Sequence, residues 1–458
     1  MPEKKSALIF GAGPVGTLLA LYLHRRGYNC EVHDRRPDLR LSGKEDGRSI
    51  NLALSERGLH ALRQIIPEEE ILQTGVPMYG RMMHDTEGAT SYQPYGKDGQ
   101  SIFSVSRNAL NLRLLQHAGK KEGVNLHFES RCNDVNFETG EAVIQDKTTG
   151  ESQTIQSDLI FGADGAYSAV RGAMTKAPRY EYIQHYIEHG YKEFNIPAGP
   201  NGTWRMERNA LHIWPRGNFM MIALPNPDGS FTGTLFFPFE GPLSFAGLKN
   251  TEDVTAFFKK YFADLVPLIP DAASAFFDHP LGSLVTIRSG PWVRGNALLI
   301  GDAAHAIVPF YGQGLNAGFE DVYLLDKMAA EHNLDFAAVL RPFEQSRRPD
   351  TDAISELSMQ NFIEMRDLVG DRTFLLRKKI EGRLNQLFPE LWVPLYTQVT
   401  FSRNPYREAL ESGKEHDRIM EQLMALPDVE IHWQNDEWLA EAIFRFIGNP
   451  PELESVTA

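Results

Sequence analysis

Residues 5–10 form a short apolar run that stops at GAGPVG, 11–16, and TLLALYLHRRG then continues with leucines at helical spacing. Glycine at 11, 13 and 16 between a strand and a helix permits a tight turn and lets a pyrophosphate approach the helix N-terminus. The next apolar run, CEVHD, reads as a second strand ending at Asp34, about 20 residues on, where a carboxylate can accept hydrogen bonds from an adenosine ribose. A glycine triplet used only for helix packing would need neither the strand nor the acid. The chain therefore begins as a βαβ unit, and an α/β fold with a Rossmann-like dinucleotide-binding domain is expected.

The 458 residues suffice for two or three units of about 150 residues each. With 46 basic against 60 acidic residues the net charge is -14, which weighs against nucleic acid as a partner. Cys30 and Cys132 are too few for a disulfide framework and show no CxxC pattern, so a reducing, cytoplasmic setting is expected. The N-terminus lacks the longer apolar region of a signal peptide. No run approaches the roughly 18 to 20 apolar residues of a spanning helix. Near the end, Leu439, Ile443, Phe444 and Phe446 alternate with charges as in an amphipathic helix docked on its own core.

Ser106 is placed to cap a helix over 107–121, short β-like runs fill 124–157, and DLIFG at 158–162 returns to the first sheet. Alternating runs at 210–224 and 231–238 predict an inserted, mainly antiparallel sheet. ALLIG at 297–301 rejoins the first unit, and helical patterns follow from Gly314. The expected division is 1–75, 100–180 and 285–330 for the dinucleotide domain, 76–99 and 181–284 for a substrate-binding β-sheet domain, and 331–458 for a C-terminal helical region.

Two further motifs narrow the cofactor. GADGAYSAVR at 162–171 follows a strand, with Arg171 read locally as a helix-surface residue. ALLIGDAAHAIVPFYGQGLNAGFED at 297–321 places Asp302 beside a helix whose first amides, near Gly314, Leu315 and Asn316, can face a group that gains negative charge. In this order the three motifs resemble the single-component FAD-dependent aromatic hydroxylase family. The resemblance implies that FAD stays bound while NADPH visits and leaves, with no second glycine fingerprint needed. It implies a cofactor set of Gly11, Gly13, Pro14, Val15, Gly16, Asp34, Ala53, Arg107, Asp164, Gly301, Asp302, Gly314, Leu315 and Asn316, with Arg35 and Arg36 along FAD or solvent. His84, His212 and His305 read as structural hydrogen-bonding residues. No metal-ligand spacing is present, so the oxygen chemistry falls to an organic cofactor.

GRSINLALSERG at 47–58, GRMMHD at 80–85, QPYG at 93–96 and NFIEMRD at 361–367 are similar to the kynurenine 3-monooxygenase family within that class. This closer resemblance implies that Arg81 and Tyr95 hold a substrate carboxylate, while Asn361 and Tyr396 contact the amino-acid end. An Arg fork with a phenol suits a carboxylate. Asn361 and Glu364, three apart, share a helix face, and Glu364 would meet the substrate ammonium or orient Arg81. The aromatic ring would lie against Leu211, Met220, Ile222, Leu224, Thr234 and Phe236, with Pro309 and Phe310 at the active-site edge. Core packing explains the alternation of those strand residues equally well.

The implied reaction is 3-hydroxylation of L-kynurenine with NADPH and O2 through a flavin C4a-hydroperoxide, in tryptophan degradation and pyridine-nucleotide biosynthesis, with no catalytic side chain. Eukaryotic members carry a C-terminal membrane anchor and this sequence has no such stretch, so it resembles the soluble bacterial forms. Monomer and homodimer stay open. A hydroxylase of another aromatic acid or quinone precursor would share the FAD motifs, and a non-catalytic dinucleotide-fold binding protein would share the first.

Overall fold

The structure is a computed structural model that describes residues 5–41, 51–96, 99–368 and 372–447. Residues 47–50 of the GRSINLALSERG motif lie outside the described residues.

Two large sheets organise the chain. The first has six strands in the order Val293–Arg294, Ala297–Leu299, Leu159–Gly162, Ser6–Phe10, Asn29–His33 and Val124–His127, parallel except at the Val293–Arg294 edge. Ser6–Phe10 sits inside, with Leu8 and Ile9 fully buried, as a parallel strand covered on both faces requires. The glycine turn after it is forced by contact. Gly11 has φ +106°, and a Cβ there would lie 2.3 Å from the Ala163 carbonyl oxygen; a Cβ on Gly16 would meet Gly11 O at 1.9 Å. Pro14 then opens the helix Pro14–Arg25 with φ already fixed and no amide to satisfy. Ser106 accepts from the Ala109 amide at 3.2 Å and caps Arg107–Ala118 as its position predicts.

The second sheet has seven strands in the order Gly282–Gly290, Glu181–Ile196, Phe231–Pro238, Met220–Pro225, Ala210–Pro215, Gly80–His84 and Thr90–Pro94. All pairs are antiparallel except Ala210–Pro215 with Gly80–His84. One face packs Phe194, Trp214, Met221 and Phe237 against Phe257, Phe258 and Phe262. Those phenylalanines come from or directly follow the helix Thr251–Tyr261, an element the strand-dominated reading of 181–284 does not include. Around the expected boundaries, Gly282–Gly290 remains paired with Glu181–Ile196 beyond residue 285, and Gly75–Met78 pairs instead with Ile102–Ser106.

From Phe336 the chain is helical. Phe336–Ile363 passes into a π-helical turn at Glu364–Leu368, and Arg372–Leu387, Leu395–Phe401, Tyr406–Met424 and Asp436–Ile447 follow. Leu439, Ala442 and Ile443 of the last helix close on Leu384, Trp392, Met420 and Leu423. Among the described residues no helix is long and apolar enough to cross a membrane.

Candidate active site

A cavity of about 470 Å³ runs from the glycine turn of the first sheet to the face of the second that lies opposite the Phe257–Phe262 core. Gly13, Pro14, Val15, Ala53, Arg107, Asp302, Gly314 and Leu315 line it on the cofactor side, and Arg81, Leu211, Met220, Ile222, Leu224, Thr234, Phe236, Pro309, Phe310 and Tyr396 on the other. Register explains the second group. Met220 pairs with Phe236, Ile222 with Thr234 and Leu211 with Arg81, so alternate residues of neighbouring strands present one surface.

The cofactor side fits a dinucleotide where the chain's own packing gives no reason for its form. A Cβ on Gly13 would find only the Arg36 guanidinium, 3.8 Å away, and Gly13 has an ordinary extended backbone. The chain leaves that space unfilled, where a pyrophosphate needs to approach. Gly314 is similarly open, with Ile307 at 3.7 Å. It begins an 18-residue helix, Gly314–Glu331, whose first turn has no side-chain cap. Its amides and positive end therefore face the cavity, where an isoalloxazine ring would sit. Asp302 is exposed along the same wall.

Around the turns several residues hold the cradle rather than line it. Asp34 accepts from the Ala12 amide at 2.8 Å and from Arg36 Nε and Nη2 at 2.9 and 2.8 Å. Burial alone would raise this carboxyl, but its hydrogen bonds to Arg36 hold it below the ordinary value. Arg35 is exposed. Asp164 accepts the Ala169 amide at 2.6 Å through Oδ2, while its buried Oδ1 has no partner, and burial pushes the acid up. The surface reading of Arg171 is corrected: it is buried, donates to the Ala303 carbonyl at 2.7 Å and also to that of Ala166, and so ties the Asp164 turn to the Asp302 turn. Asn316 donates to the carbonyls of Ala53 and Gly312 and accepts the Ser55 amide, fixing the loop ahead of the helix.

Gly301, at φ +60°, donates its amide to Asp321 Oδ2, which also meets His305 Nε2 at 2.6 Å. Arg347 binds Asp321 Oδ1 at 2.7 Å and Glu320 at 2.8 Å, and Arg57 binds Glu320 at 2.7 Å. Burial opposes the Asp321 charge, but His305 and Arg347 hold the carboxyl down to about 2. His305 thus joins, through Asp321, a buried ion-pair network beneath the cofactor loop. His84 and His212 lie in the other core, joined to each other at 2.9 Å, with His84 on Asp264 at 3.1 Å.

At the substrate end Tyr95, Tyr396 and Tyr311 form a stack, with ring centroids 5.1 and 5.7 Å apart. The Arg81 guanidinium carbon lies 4.5 Å from the Tyr396 centroid and 5.6 Å from that of Tyr95. Arg81 Nε and the Tyr95 hydroxyl have no hydrogen-bond partner, and among the described residues no carboxylate is within ion-pair distance of Arg81. Burial would depress the guanidinium, but Tyr396, Tyr95 and the more distant Glu364 hold it above its ordinary value, so it is a cation at any working pH.

The structure does not bring Tyr95, Asn361 or Glu364 to the cavity wall. Asn361 donates to the Phe310 carbonyl at 2.6 Å, and Glu364 is 3.5 Å from Lys378. Met365, in the π turn that follows, reaches the cavity. Tyr191 and Leu284 also line the wall without belonging to any motif. Tyr191 becomes visible only once its strand is paired opposite Phe236.

Folding also gathers a trio that sequence spacing does not show: Glu31, His33 and His127 have donor atoms within 4.8 Å. The two rings are stacked 4.5 Å apart at 12°, so their in-plane lone pairs do not converge on one ion.

Comparison with known proteins agrees with this arrangement. Residues 4–194 and 284–355 match the FAD binding domain family. A kynurenine 3-monooxygenase of Myxococcus xanthus is 47% identical over 93% of each chain, and one of Dictyostelium discoideum 44% identical over 92% of this chain and 93% of that one. Among solved structures, 2-methyl-3-hydroxypyridine-5-carboxylic acid oxygenase superposes with TM-score 0.66 at 22% identity, covering 80% of this chain and 94% of that one. Klebsiella pneumoniae HpxO, solved with FAD and uric acid, gives TM-score 0.63 at 17% identity over 92% of this chain and 97% of that one. At those identities the structures speak for the fold alone.

Proposed function

We propose that this chain, which belongs to the kynurenine 3-monooxygenase family of FAD-dependent monooxygenases, hydroxylates L-kynurenine to 3-hydroxykynurenine with NADPH and O2. When bound, FAD supplies the redox chemistry, carrying electrons from NADPH to O2 so that one oxygen atom enters the ring and the other leaves as water. The chain's own residues bind, orient and exclude water.

The observation that carries the substrate reading is Arg81. It is a cation on the wall of a largely apolar cavity, beside two stacked tyrosine rings, with a donor left unpaired. An enclosed guanidinium without a counter-ion calls for an anion from outside, and a carboxylate can take two parallel hydrogen bonds from it. Tyr95 backs this site from behind the cavity wall, its ring stacked on that of Tyr396 at 5.1 Å. With the carboxylate there, Leu211, Ile222, Leu224, Met220 and Phe236 offer an apolar bed for an aromatic ring, and Thr234 gives one polar contact. Pro309 and Phe310 bound the side toward the cofactor. Asn361 acts through Phe310, whose carbonyl it holds, and Glu364 supports the charge of Arg81. With FAD bound, the uncapped first-turn amides of Gly314–Glu331 would stabilise negative charge placed on it.

Cys30 and Cys132 are both free and buried, which supports a reducing, cytoplasmic setting. Incubation of the purified yellow protein with L-kynurenine, NADPH and O2 is expected to yield a product heavier by one oxygen atom, identified as the 3-hydroxy isomer by mass spectrometry against a standard. NADPH consumption that rises with a different aromatic acid and not with kynurenine would overturn the substrate. Light scattering on the same sample distinguishes monomer from homodimer.

A further inference from the structure

Arg57 belongs to the GRSINLALSERG motif, yet its side chain is fully buried and does not reach the cavity. Each nitrogen of its guanidinium is committed to a different acceptor. Nη1 donates to Glu320 at 2.7 Å, Nε to the Val399 carbonyl at 3.0 Å and Nη2 to the Asn404 carbonyl at 2.6 Å. Glu320 is on the helix Gly314–Glu331, whose first turn faces the cofactor side. Val399 and Asn404 come from the C-terminal region, 342 and 347 residues away. Val399 lies in the last turn of the helix Leu395–Phe401, where carbonyls lack a helical amide to accept from. Tyr396, in the first turn of that helix, is on the cavity wall with its ring centroid 4.5 Å from the Arg81 guanidinium carbon. Tyr406 closes the joint. Its ring centroid is 3.9 Å from the Arg57 guanidinium carbon, and its hydroxyl donates at 3.0 Å to Gln313, the residue directly before Gly314.

We propose that Arg57 is a positioning residue that sets Tyr396, and through it Arg81, in register with the cofactor-facing start of the helix Gly314–Glu331, with Tyr406 as the second tie. Apolar side chains of similar volume would hold these segments together as well as a buried charge does. What the guanidinium adds is direction, because its planar fork fixes where each acceptor stands. The acceptors it fixes belong to the two ends of one cavity. A helix start held in place by bound FAD therefore also holds in place the aromatic face beside Arg81. By linkage, a carboxylate bound at Arg81 tightens the grip on FAD by the same factor. The substrate arm of this inference rests on the kynurenine reading; the tie itself does not.

Hydrogen exchange read by mass spectrometry on the apoprotein and the FAD-loaded protein tests the tie without substrate. Loading with FAD should slow exchange over 395–404 at least about fivefold more than over the helix Asp436–Ile447, which packs in a different core from Val399 and Tyr406. Arg57→Lys keeps a charge opposite Glu320 but loses the fork, and Tyr406→Phe keeps the ring but loses the bond to Gln313. In each variant the extra protection should fall to within about twofold of that reference helix. Kynurenine titration of the FAD-loaded protein supplies the second arm. Arg57→Lys should weaken binding about tenfold in the parent and leave it unchanged in a Tyr396→Ala background, where nothing remains for Arg57 to position. A purely structural loss would be equal in both backgrounds, and that result overturns the proposal. So does FAD loading that protects 395–404 no better than Asp436–Ile447. If Arg57→Lys does not fold, Tyr406→Phe carries both arms. A parent protein that does not bind kynurenine overturns the substrate assignment, and the exchange data then decide the tie alone.

Discussion

Replacing Arg81 by lysine keeps the charge and removes the fork. In the structure the guanidinium lies 4.5 Å from the Tyr396 ring centroid, with its Nε unpaired and no carboxylate within ion-pair distance among the described residues. A bound carboxylate would receive two parallel charge-assisted bonds from arginine, whereas an ammonium on a flexible stem reproduces at most one in that geometry. One such bond contributes about 1.5–3 kcal/mol, so Arg81→Lys should weaken kynurenine binding roughly 10- to 150-fold. Arg81→Ala leaves the carboxylate facing an apolar wall, at a cost of about 2–5 kcal/mol, which is roughly 30- to several thousand-fold. The assay is titration of the flavin absorbance with kynurenine in the absence of NADPH, with the ratio of FAD to protein as control. Retention of FAD with a kynurenine dissociation constant within about twofold of the parent in Arg81→Lys would refute the fork, since that is far below the loss of a charged hydrogen bond.

Gly13→Val should fold normally yet purify without FAD, because only the end of the Arg36 side chain, 3.8 Å away, approaches its Cβ; a normally yellow variant would contradict this. By contrast, Gly16→Ala should lower the thermal midpoint of the apoprotein, since its Cβ meets Gly11 O at 1.9 Å, and an unchanged midpoint would count against that packing. Asp321→Asn leaves Arg347 undercompensated in the core and should cost about 3–5 kcal/mol in denaturant unfolding, with FAD loss as the loop of Gly301 loosens; a loss below about 0.5 kcal/mol would show that the chain of charges is dispensable. Burial lowers His212 to about 4, so between an unfolded value of about 6.5 and that point the unfolded chain binds a proton the folded chain refuses. Stability should therefore fall as the pH drops through this window, by up to about 3 kcal/mol from His212, and unfolding free energies that stay flat from pH 7 to 4.5 would refute it.

What the sequence discloses is what is local. Gly11 and Gly16 announce a turn because contacts within that turn forbid a side chain, and Ser106 announces a helix because its hydroxyl caps an amide three residues on. The alternation at 210–224 and 231–238 placed Leu211, Met220, Ile222, Leu224, Thr234 and Phe236 on one surface because a strand has period two. The tyrosine stack and the ion-pair network resisted such reading, being assembled from residues 95, 311 and 396, and from 57, 305, 320, 321 and 347. Arg171 was misplaced for the same reason: a local rule sees a helix surface, while its acceptor, Ala303, arrives from 132 residues away. Asn361 and Glu364 stand behind the cavity wall rather than on it. Each found a partner distant in sequence, the Phe310 carbonyl for Asn361 and Lys378 for Glu364, which helical spacing does not show.

The order of strands in the first sheet also sets a timetable for synthesis. Ser6–Phe10 emerges first but needs Leu159–Gly162 beside it, and that strand in turn needs Ala297–Leu299. The cofactor loop at Gly301 and the helix Gly314–Glu331 come later still. The opening strand and helix must therefore wait, with apolar faces incompletely covered, while most of the inserted sheet is made. Closing such long loops before contacts reward it is slow and leaves the chain prone to association. On the ribosome, capture of FAD belongs to the end of translation, and a nascent chain stalled before residue 300 has the glycine turn but lacks Asp302 and the helix end at Gly314.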